Sequence, residues 1–445
     1  MAEEEPELQL WQTVEPVEFN PKLDDNSQKQ ALLIAARQGI GYAIIGGVIS
    51  HALQTRATHV LLDCSANACA IRYQIDGNWE QLPPVDRESS DALVYALKQV
   101  SLLNPADRRT AQTGSVDMKL KKEKFNMLVQ SQGVPTGERI LLKFEPEKIP
   151  FEKMTDLGMR DKMFEAYKSH LNSEGTVVLV TAPKSEGLTT TWTTSINCAD
   201  RLIRDFQSFE AEDSPEPEVI NINPNYYGGS TETTLSDLLY KAILKEPDVL
   251  LFPELPDADA FGSALGHVAK AQKQIITRVV ASSAMEGAVR LLATYRDHAS
   301  DIIERLCCVI GQRLVRRLCD NCKVGFPPPP QLLQQLGIPQ GRVGMLYQPF
   351  FPPPIEQQVD EEGNPAPIIP CHICNGRGYF GRIAIFEMLL PGPQLKAALL
   401  KTQDLNQLNA VAKSEGHRGI QAEAVVAVAR GLTGLDELRR AFSGK

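Results

Sequence analysis

Two Cys-x-x-Cys pairs are the residues of this sequence whose spacing points most directly to a chemical role. Cys319 and Cys322 form one pair, and Cys371 and Cys374 form the other. Each pair can direct two thiolates toward one centre, so that four sulfurs complete a closed, structural zinc site. Two coincidental pairs or a redox dithiol are the alternatives, but closely spaced glycines follow the second pair, as in the tight turns of a zinc knuckle. The sequence therefore predicts structural zinc.

The other cysteines are interpreted as core residues rather than ligands. They are Cys64, Cys69, Cys198, Cys307 and Cys308. Nine cysteines are an odd set, and in a long chain expected to remain in the cytoplasm paired cysteines favour metal binding over disulfides.

The composition is that of a globular protein with two or three domains. The chain has 445 residues, of which 43% are hydrophobic and 23% charged. Its longest apolar stretch, residues 39–53, is shorter than the ~20 residues that span a bilayer, so we expect no transmembrane segment. The acidic start, MAEEEPELQL, is unlike a secretory signal and favours a cytoplasmic location.

The charge balance argues against nucleic acid as a partner. The formal net charge is -9, and aromatic residues make up only 6% of the chain. A phosphate backbone is bound by clustered cations, and single strands additionally by stacked aromatic side chains. We therefore expect no nucleic acid partner.

The first half of the chain predicts an acidic arm and a small α/β domain. Residues 1–27 are rich in Glu, Asp and Pro, which predicts a flexible arm with little order. Residues 28–145 read as a helical stretch followed by a strand meander, a hairpin at 115–132 and a further strand. Residues 146–157 carry two prolines and mixed charge, and are interpreted as a linker.

The second half alternates buried strands with helices. Short apolar runs such as TVVLV and DVLLF are separated by helical patterns over residues 158–318, which predicts a mostly parallel sheet covered on both faces. A zinc module with a proline-rich insertion is predicted at 319–390, and a helical region at 391–445.

Several segments together resemble the type II secretion and type IV pilus assembly ATPases. The most specific are GQRLVRRLCDNCK at 311–323 and CHICNGRGYFGRIAIFEML at 371–389, and LKEPDVLLFPELPD at 244–257 resembles the family's acidic-box strand. Segments such as IRYQIDG and NPADRRTAQTGSV are similar to the family's N-terminal domain. The resemblance implies a small α/β domain followed by a RecA-like P-loop domain with the zinc module. It also implies a hexameric ring, platform proteins at the membrane, and a cytoplasmic subunit peripheral to the inner membrane.

The segment after TVVLV resembles the family's phosphate-binding loop, G-x-x-x-x-G-K-S/T, but departs from it. Ala182 stands for the first glycine and Leu188 for the lysine, so the counterion of the phosphates is missing. Glu186 is expected to add a like charge inside the loop, and Pro183 removes a backbone donor. The positions that the resemblance still assigns to ATP and magnesium are Lys184, Ser185, Gly187, Thr189 and Thr190.

The family's catalytic positions are partly lost as well. Glu254 matches the acidic-box glutamate and Glu210 a glutamate of the aspartate box, so both are candidate catalytic residues. Pro256 and Tyr240 stand for arginines, and Ala281 stands for the family's histidine. Arginines that neutralise transition-state charge contribute ~10³–10⁵ in rate, or ~4–7 kcal/mol, so we expect little hydrolysis.

Each surviving residue also has a simpler interpretation. Thr189 could cap a helix, Glu254 could be a solvated acid, and Lys184 could point to water rather than swing into the phosphate site. The basic run at Arg313, Arg316 and Arg317 is interpreted as one side of a helix that faces solvent or another subunit.

Three functions follow from these observations. The first is a degenerate, non-hydrolysing family member with a scaffold or regulatory role, since a fold can persist without its chemistry. The second is an active assembly ATPase that uses a displaced lysine. The third is a zinc-dependent nucleic-acid-binding protein, which the acidic balance disfavours.

Overall fold

The computed structural model describes residues 13–229, 233–354, 357, 358, 366 and 368–442. The chain divides into two compact units, Met1–Lys148 and Ile149–Lys445. Among the described residues, no single helix is long and apolar enough to cross a bilayer; the pair Asn26–Arg37 and Ile40–Gln54 passes on length and composition together, but it bends by 95°.

The first unit is an antiparallel sheet packed against helices. Its helices are Asn26–Arg37 (α1), Ile40–Gln54 (α2) and Arg87–Val100 (α3). Its strands are Glu18–Pro21 (β1), Ala57–Ser65 (β2), Ala68–Ile75 (β3), Asn78–Gln81 (β4), Val85–Asp86 (β5), Gln112–Leu120 (β6), Glu123–Val134 (β7) and Gly137–Pro146 (β8). Within the described residues the strand order is β1-β6-β7-β8-β2-β3-β4, with β5 paired to β3.

Buried and more exposed residues alternate along the strands, and the buried ones form the core of this unit. In β3 every second residue is buried, and buried residues of α1, α2 and α3 join them in one apolar cluster. Such a period of two is what a sheet with one covered face requires.

The acidic arm predicted at 1–27 is partly wrong. Glu18–Pro21 pairs with β6, and the side chains of Val17 and Phe19 are buried in the core. Two apolar side chains on an otherwise polar segment provide enough burial to fix it as an edge strand. Residues 1–12 of the predicted arm lie outside the described part of the chain.

The second unit is an α/β fold built on a mostly parallel sheet, as predicted. Its strands are Thr176–Ala182 (β9), Phe206–Ala211 (β10), Ile222–Tyr227 (β11), Val249–Phe252 (β12), Gln274–Val280 (β13), Leu306–Leu318 (β14), Val324–Phe326 (β15), Leu346–Gln348 (β16) and Tyr379–Leu389 (β17). In the described residues the central sheet has the order β11-β10-β12-β13-β9-β14-β17. Its pairings are parallel except β14–β17. A small antiparallel pair, β15–β16, lies apart from it.

Helices cover both faces of this sheet. They are Met154–Leu157 (α4), Asp161–Leu171 (α5), Leu188–Asn197 (α6), Leu235–Ile243 (α7), Ala258–Ala271 (α8), Ala284–Thr294 (α9), Ala299–Arg305 (α10), Pro330–Gln335 (α11), Pro393–Leu399 (α12), Leu405–Ser414 (α13), Ile420–Ala429 (α14) and Leu435–Phe442 (α15). Successive residues of β9 belong to opposite cores: Val177 and Leu179 to one, Val178 and Val180 to the other. A strand buried on both faces reads as a continuous apolar run, which explains TVVLV.

The predicted zinc module ends earlier than residue 390. Tyr379–Leu389 is strand β17, which pairs along nearly the whole of β14 in the central sheet. The prediction assigned this strand to the module because it directly follows the second cysteine pair. Its burial places it in the core of the unit instead: Ala384 and Phe386 are almost fully buried.

Gly41 provides a test of the packing between α2 and α3. A Cβ built at this position would lie 1.9 Å from the Ala92 carbonyl oxygen, a backbone atom that cannot rotate away. Gly41→Ala is therefore expected to destabilise the first unit by about 1–3 kcal/mol, measured by chemical denaturation. Gly39→Ala is the control, because its Cβ would meet only an ordinary contact at 3.8 Å. Equal stability of the two variants would contradict this packing.

Candidate nucleotide pocket and metal centre

The four cysteines of the two pairs converge on one point. Their ligand sulfurs all lie within 4.8 Å of one another. The Sγ atoms of Cys319 and Cys371 are 3.8 Å apart, and those of Cys322 and Cys374 are 3.6 Å apart. Four sulfurs at about 2.3 Å from a tetrahedral metal would be separated by about 3.8 Å. The cluster is thus placed to hold a metal ion.

Local backbone geometry positions these thiols. The Cys319 N–H donates to the Gly378 carbonyl at 3.0 Å, which links the end of β14 to the second pair. Asn375 adopts φ 51°, a left-handed conformation that turns the chain directly after Cys374. The Asn321 amide lies 3.2 Å from the Cys371 sulfur. The backbone N–H of Cys374, followed by the Asn321 amide, stabilises the Cys371 thiolate and lowers the pKa of this residue to about 6.

The segment between β9 and α6 contains two left-handed residues and leads directly into the helix. Ser185 and Gly187 have φ values of 63° and 87°, and the chain enters α6 at Leu188. The Gln312 amide of β14 donates to the Glu186 carbonyl at 2.7 Å and accepts from the Thr191 hydroxyl at 3.2 Å. The side chain of Gln312 therefore attaches the loop and the first turn of α6 to the neighbouring strand β14. The N-terminal N–H groups of α6 remain available, as in anion-binding helices.

The expectation that Glu186 adds its charge inside the loop is wrong. Its carboxylate accepts from the Leu314 N–H at 3.1 Å and lies 3.7 Å from the Arg313 Nε, so it faces β14. The helix-cap interpretation of Thr189 is wrong as well. Gly187 occupies the cap position, and Thr189 is an exposed residue in the first turn of α6.

A cavity of about 840 Å³ opens beside this loop. Its lining comes from the loop, the end of β12, the end of β13 and α9. The lining residues are Pro183, Lys184, Ser185, Leu188, Thr189, Pro253, Glu254, Leu255, Arg278, Val279, Val280, Arg290, Ala293 and Thr294. The structure thus brings together four of the predicted positions: Lys184, Ser185, Thr189 and Glu254. Gly187, Thr190 and Glu210 do not line the cavity.

Arg278 is the most buried cation of this cavity, and it is fully engaged by the protein itself. Its guanidinium donates to both oxygens of Glu216, at 2.8 and 2.5 Å, and to the Pro253 carbonyl at 2.8 Å. It also lies 5.5 Å from the centre of the Trp192 ring. The side chains of Arg278 and Glu216 are only 12% and 13% exposed. Burial raises the pKa of Glu216 against the opposing effect of Arg278.

Arg290, the second arginine of the lining, is paired internally too. It contacts Glu286 at 2.6 Å and donates to the Val280 carbonyl at 2.8 Å. By contrast, no ion pair involves Lys184 among the described residues. Of the three cationic side chains in the lining, the two arginines are therefore paired with acids of the same chain.

The two candidate catalytic acids have different environments. Glu254 is exposed at the cavity, where the Ser214 hydroxyl approaches it at 3.3 Å. Glu210 is buried and accepts from the Ser208 hydroxyl at 2.6 Å and from the Glu216 N–H at 2.9 Å. Glu210 therefore holds the segment that carries Glu216.

The positions at which the resemblance implies arginines or a histidine carry no cation in this chain. Tyr240 is 66% exposed on α7, and the carbonyl of Pro256 accepts from the Tyr295 hydroxyl at 2.7 Å. Ala281 is buried and donates its N–H to Ala182 at 3.1 Å. Pro256 and Ala281 are part of the packing, whereas Tyr240 faces solvent.

The basic run at 313–317 lies on a strand, so the predicted helix side is wrong. All three arginines belong to β14. Arg316 contacts the buried Glu437 at 2.7 Å and stacks 4.0 Å from the Tyr379 ring. Arg317 pairs with Asp320 at 2.6 Å. The run is thus tied largely to groups of its own unit.

The sequence did not identify the Arg278–Glu216 pair. One signal was present: Arg278 is the single charge inside the apolar strand QIITRVV. A charge in a buried strand requires a buried partner, but the sequence does not show which of the 55 acidic residues supplies it.

The family model described as "Type II/IV secretion system protein" matches residues 36–440. This chain belongs to that family, which confirms the resemblance. It is 22% identical over 396 residues to a type IV pilus assembly ATPase PilB of Thermus thermophilus. It is 23% identical over 400 residues to a putative type II secretion system protein E of Escherichia coli. These alignments cover 88% and 90% of the chain, but 42% and 76% of the relatives.

Solved structures show the same fold. The Legionella pneumophila ATPase DotB matches with a TM-score of 0.57 at 14% identity, covering 90% of this chain and 96% of that one. The pilus retraction motor PilT with bound ADP matches with a TM-score of 0.50 at 17% identity, covering 89% and 96%. The predicted fold class is therefore confirmed.

Glu216→Gln tests the buried pair. Removing one partner of a buried ion pair leaves an uncompensated charge, so we expect a loss of about 3–5 kcal/mol in the free energy of unfolding, measured by denaturant titration. Glu218→Gln, an exposed acid two residues away, is the matched control and should change stability by less than about 0.5 kcal/mol. A Glu216→Gln variant as stable as the control would show that the pair is not held in solution.

Proposed function

We propose that this protein is a non-hydrolysing member of the secretion and pilus assembly ATPase family, with a scaffold or regulatory role. The observation that carries the proposal is the charge state of the cavity. Position 188, where the family has its lysine, is leucine, and both lining arginines are neutralised by Glu216 and Glu286. A triphosphate with magnesium therefore does not fit this lining. Backbone N–H groups alone provide direction but little net charge.

In this proposal, the residues that shape the loop differ from the residues that would act on the phosphates. The left-handed residues, the anchoring glutamine and the helix start are present, and they contribute to the contacts between the loop, β14 and α6. At the positions where the resemblance implies groups that act on the transition state, the chain carries Pro256, Tyr240 and Ala281, which have no cationic side chain. A mutated site loses rate in this way without losing the fold.

The family supplies the setting of this role. We propose that the chain forms a hexameric ring, alone or with an active relative, on the cytoplasmic side of the inner membrane. Its partners there would be the membrane-associated platform proteins of a pilus, pseudopilus or secretion apparatus. The mixed ring suits a subunit without hydrolysis, since the relative would supply the turnover.

We further propose that the metal of the cysteine cluster is zinc and that its role is structural. Four thiolates in a closed tetrahedral arrangement leave no open position for substrate. The ion would join the end of β14 to the segment before β17.

The alternative is an active ATPase that uses Lys184. This residue lines the cavity together with Glu254, and no ion pair holds it among the described residues. A lysine on a flexible stem could reach a phosphate from there. The two candidates share fold, metal and partners, and they differ in turnover.

Turnover by the purified protein separates them. We expect no magnesium-dependent phosphate release above the background in a coupled assay, because position 188 is leucine and both lining arginines are paired with acids of the chain. The controls are Lys184→Ala and Glu254→Gln, which should leave this background unchanged. A rate typical of enzymes, about 1 per second or more, that is lost in Lys184→Ala would establish the active alternative.

The metal is tested by elemental analysis. The purified protein should contain about one zinc per chain, and Cys371→Ser should lose it together with several degrees of melting temperature. Cys198→Ser is the control, because Cys198 lies outside the cluster and should leave the zinc content unchanged. Zinc retained in Cys371→Ser, or absent from the original protein, would contradict the proposal that the four cysteines bind zinc.

A further inference from the structure

Two cysteines of the first unit face each other across a hairpin and belong to neither site described above. Cys64 of β2 is directly opposite Cys69 of β3 in the antiparallel register. Both are free thiols. Both residues are buried, Cys64 with 8% of its surface exposed and Cys69 with none, so Cys64 is the more accessible of the two.

The backbone pattern shows which kind of pair they form. The carbonyl of Ile71 accepts from the Leu82 N–H at 2.9 Å, on the side of β3 that faces away from β2. Alternate residues of a strand direct their backbone groups to the same side, so Cys69 also directs its groups away from β2. Cys64 and Cys69 are therefore a non-hydrogen-bonded pair, in which side chains approach most closely.

This arrangement meets the requirements of a disulfide. Opposite residues in a non-hydrogen-bonded pair have Cα atoms about 4.5 Å apart. Disulfides form across Cα distances of about 4.4–6.8 Å. A pair in this register therefore falls within the range of Cα distances that a disulfide bridges.

The surroundings make the two thiols unequal. Interaction with the Cys69 thiol and with the Ser90 hydroxyl of α3 lowers the pKa of Cys64. The pKa of Cys69 is raised, first by the same neighbour and then by burial. The more exposed cysteine is thus the better nucleophile, and its buried neighbour is a thiol within reach of it.

We propose that Cys64 and Cys69 are a peroxide-sensitive pair that forms a reversible cross-strand disulfide. The Cys64 thiolate attacks one oxygen of hydrogen peroxide, the O–O bond breaks, and Cys64 becomes a sulfenic acid while hydroxide leaves and takes up the proton released by the thiol to form water. The Cys69 sulfur then attacks the Cys64 sulfur, which expels the hydroxyl as a second water. The two thiols together lose two electrons, and one hydrogen peroxide is reduced to water. A dithiol then reduces the disulfide back to two thiols.

The site is independent of nucleotide chemistry. Its neighbour on the other side is Glu138 of β8, which is opposite Cys64 and forms a buried pair with Lys98 at 2.5 Å. Oxidation would therefore add a covalent link between β2 and β3. This link would lie beside the Glu138–Lys98 ion pair, which joins β8 to α3. Oxidation adds this link within the first unit whether or not the protein hydrolyses ATP.

Mass spectrometry tests the pair in the full-length protein. The protein is treated with increasing hydrogen peroxide, remaining thiols are blocked with iodoacetamide, and the product is digested with trypsin. Both cysteines lie in one expected tryptic peptide, residues 57–72. We expect this peptide to lose two hydrogens and to escape alkylation, and dithiothreitol to restore both thiols.

Cys198 is the internal control. It is half-buried, and burial raises its pKa, so it should react about tenfold more slowly than Cys64. Cys69→Ser should stop Cys64 at the sulfenic acid, which dimedone captures, and Cys64→Ser should leave Cys69 unmodified. A peptide that keeps both thiols while Cys198 is oxidised would overturn the proposal. Sulfinic acid at Cys64 without a disulfide in the original protein would overturn it too.

Discussion

The buried ion pair between Arg278 and Glu216 holds the most buried cation of the cavity within the protein itself. A guanidinium with 12% exposure needs a compensating anion, and here a carboxylate of the same chain provides it. Three protein groups, the carboxylate, the Pro253 carbonyl and the Trp192 ring, surround that cation. A phosphate that paired with this guanidinium would have to displace the carboxylate and leave it buried without its partner.

The other changes are consistent with this constraint. Glu210, which the family resemblance assigns to catalysis, accepts the N–H of Glu216 and so fixes the segment that supplies the internal anion. Glu186 faces β14 and helps to anchor the loop there. Two acids that would be expected to serve or disturb nucleotide chemistry therefore make contacts within the protein. Gln312 anchors the loop through the Glu186 carbonyl and the Thr191 hydroxyl.

Much of the architecture could be predicted from the residues alone. The apolar runs of β9 and β12 identify strands buried on both faces, and the paired cysteines identify a cluster whose members are far apart in sequence. The edge strand Glu18–Pro21 was missed, because two buried side chains in an acidic segment are too weak a pattern. The sequence predicts a helix at the arginines of β14, where the structure has a strand. The acids that pair with two of these arginines, Glu437 and Asp320, can be identified only in the folded structure. The same reason hides Glu216: local sequence shows that Arg278 needs a partner, but the fold determines which acid it is.

Equilibrium binding of a fluorescent, non-hydrolysable ATP analogue with magnesium tests the central claim most directly. The protein should show no saturable binding below about millimolar analogue, whereas Leu188→Lys, which restores the family's cation at the start of α6, should bind at least about tenfold more tightly. Micromolar, magnesium-dependent binding by the unaltered protein would contradict the account. It would mean that the phosphates find a counterion in this cavity despite leucine at position 188 and the paired arginines.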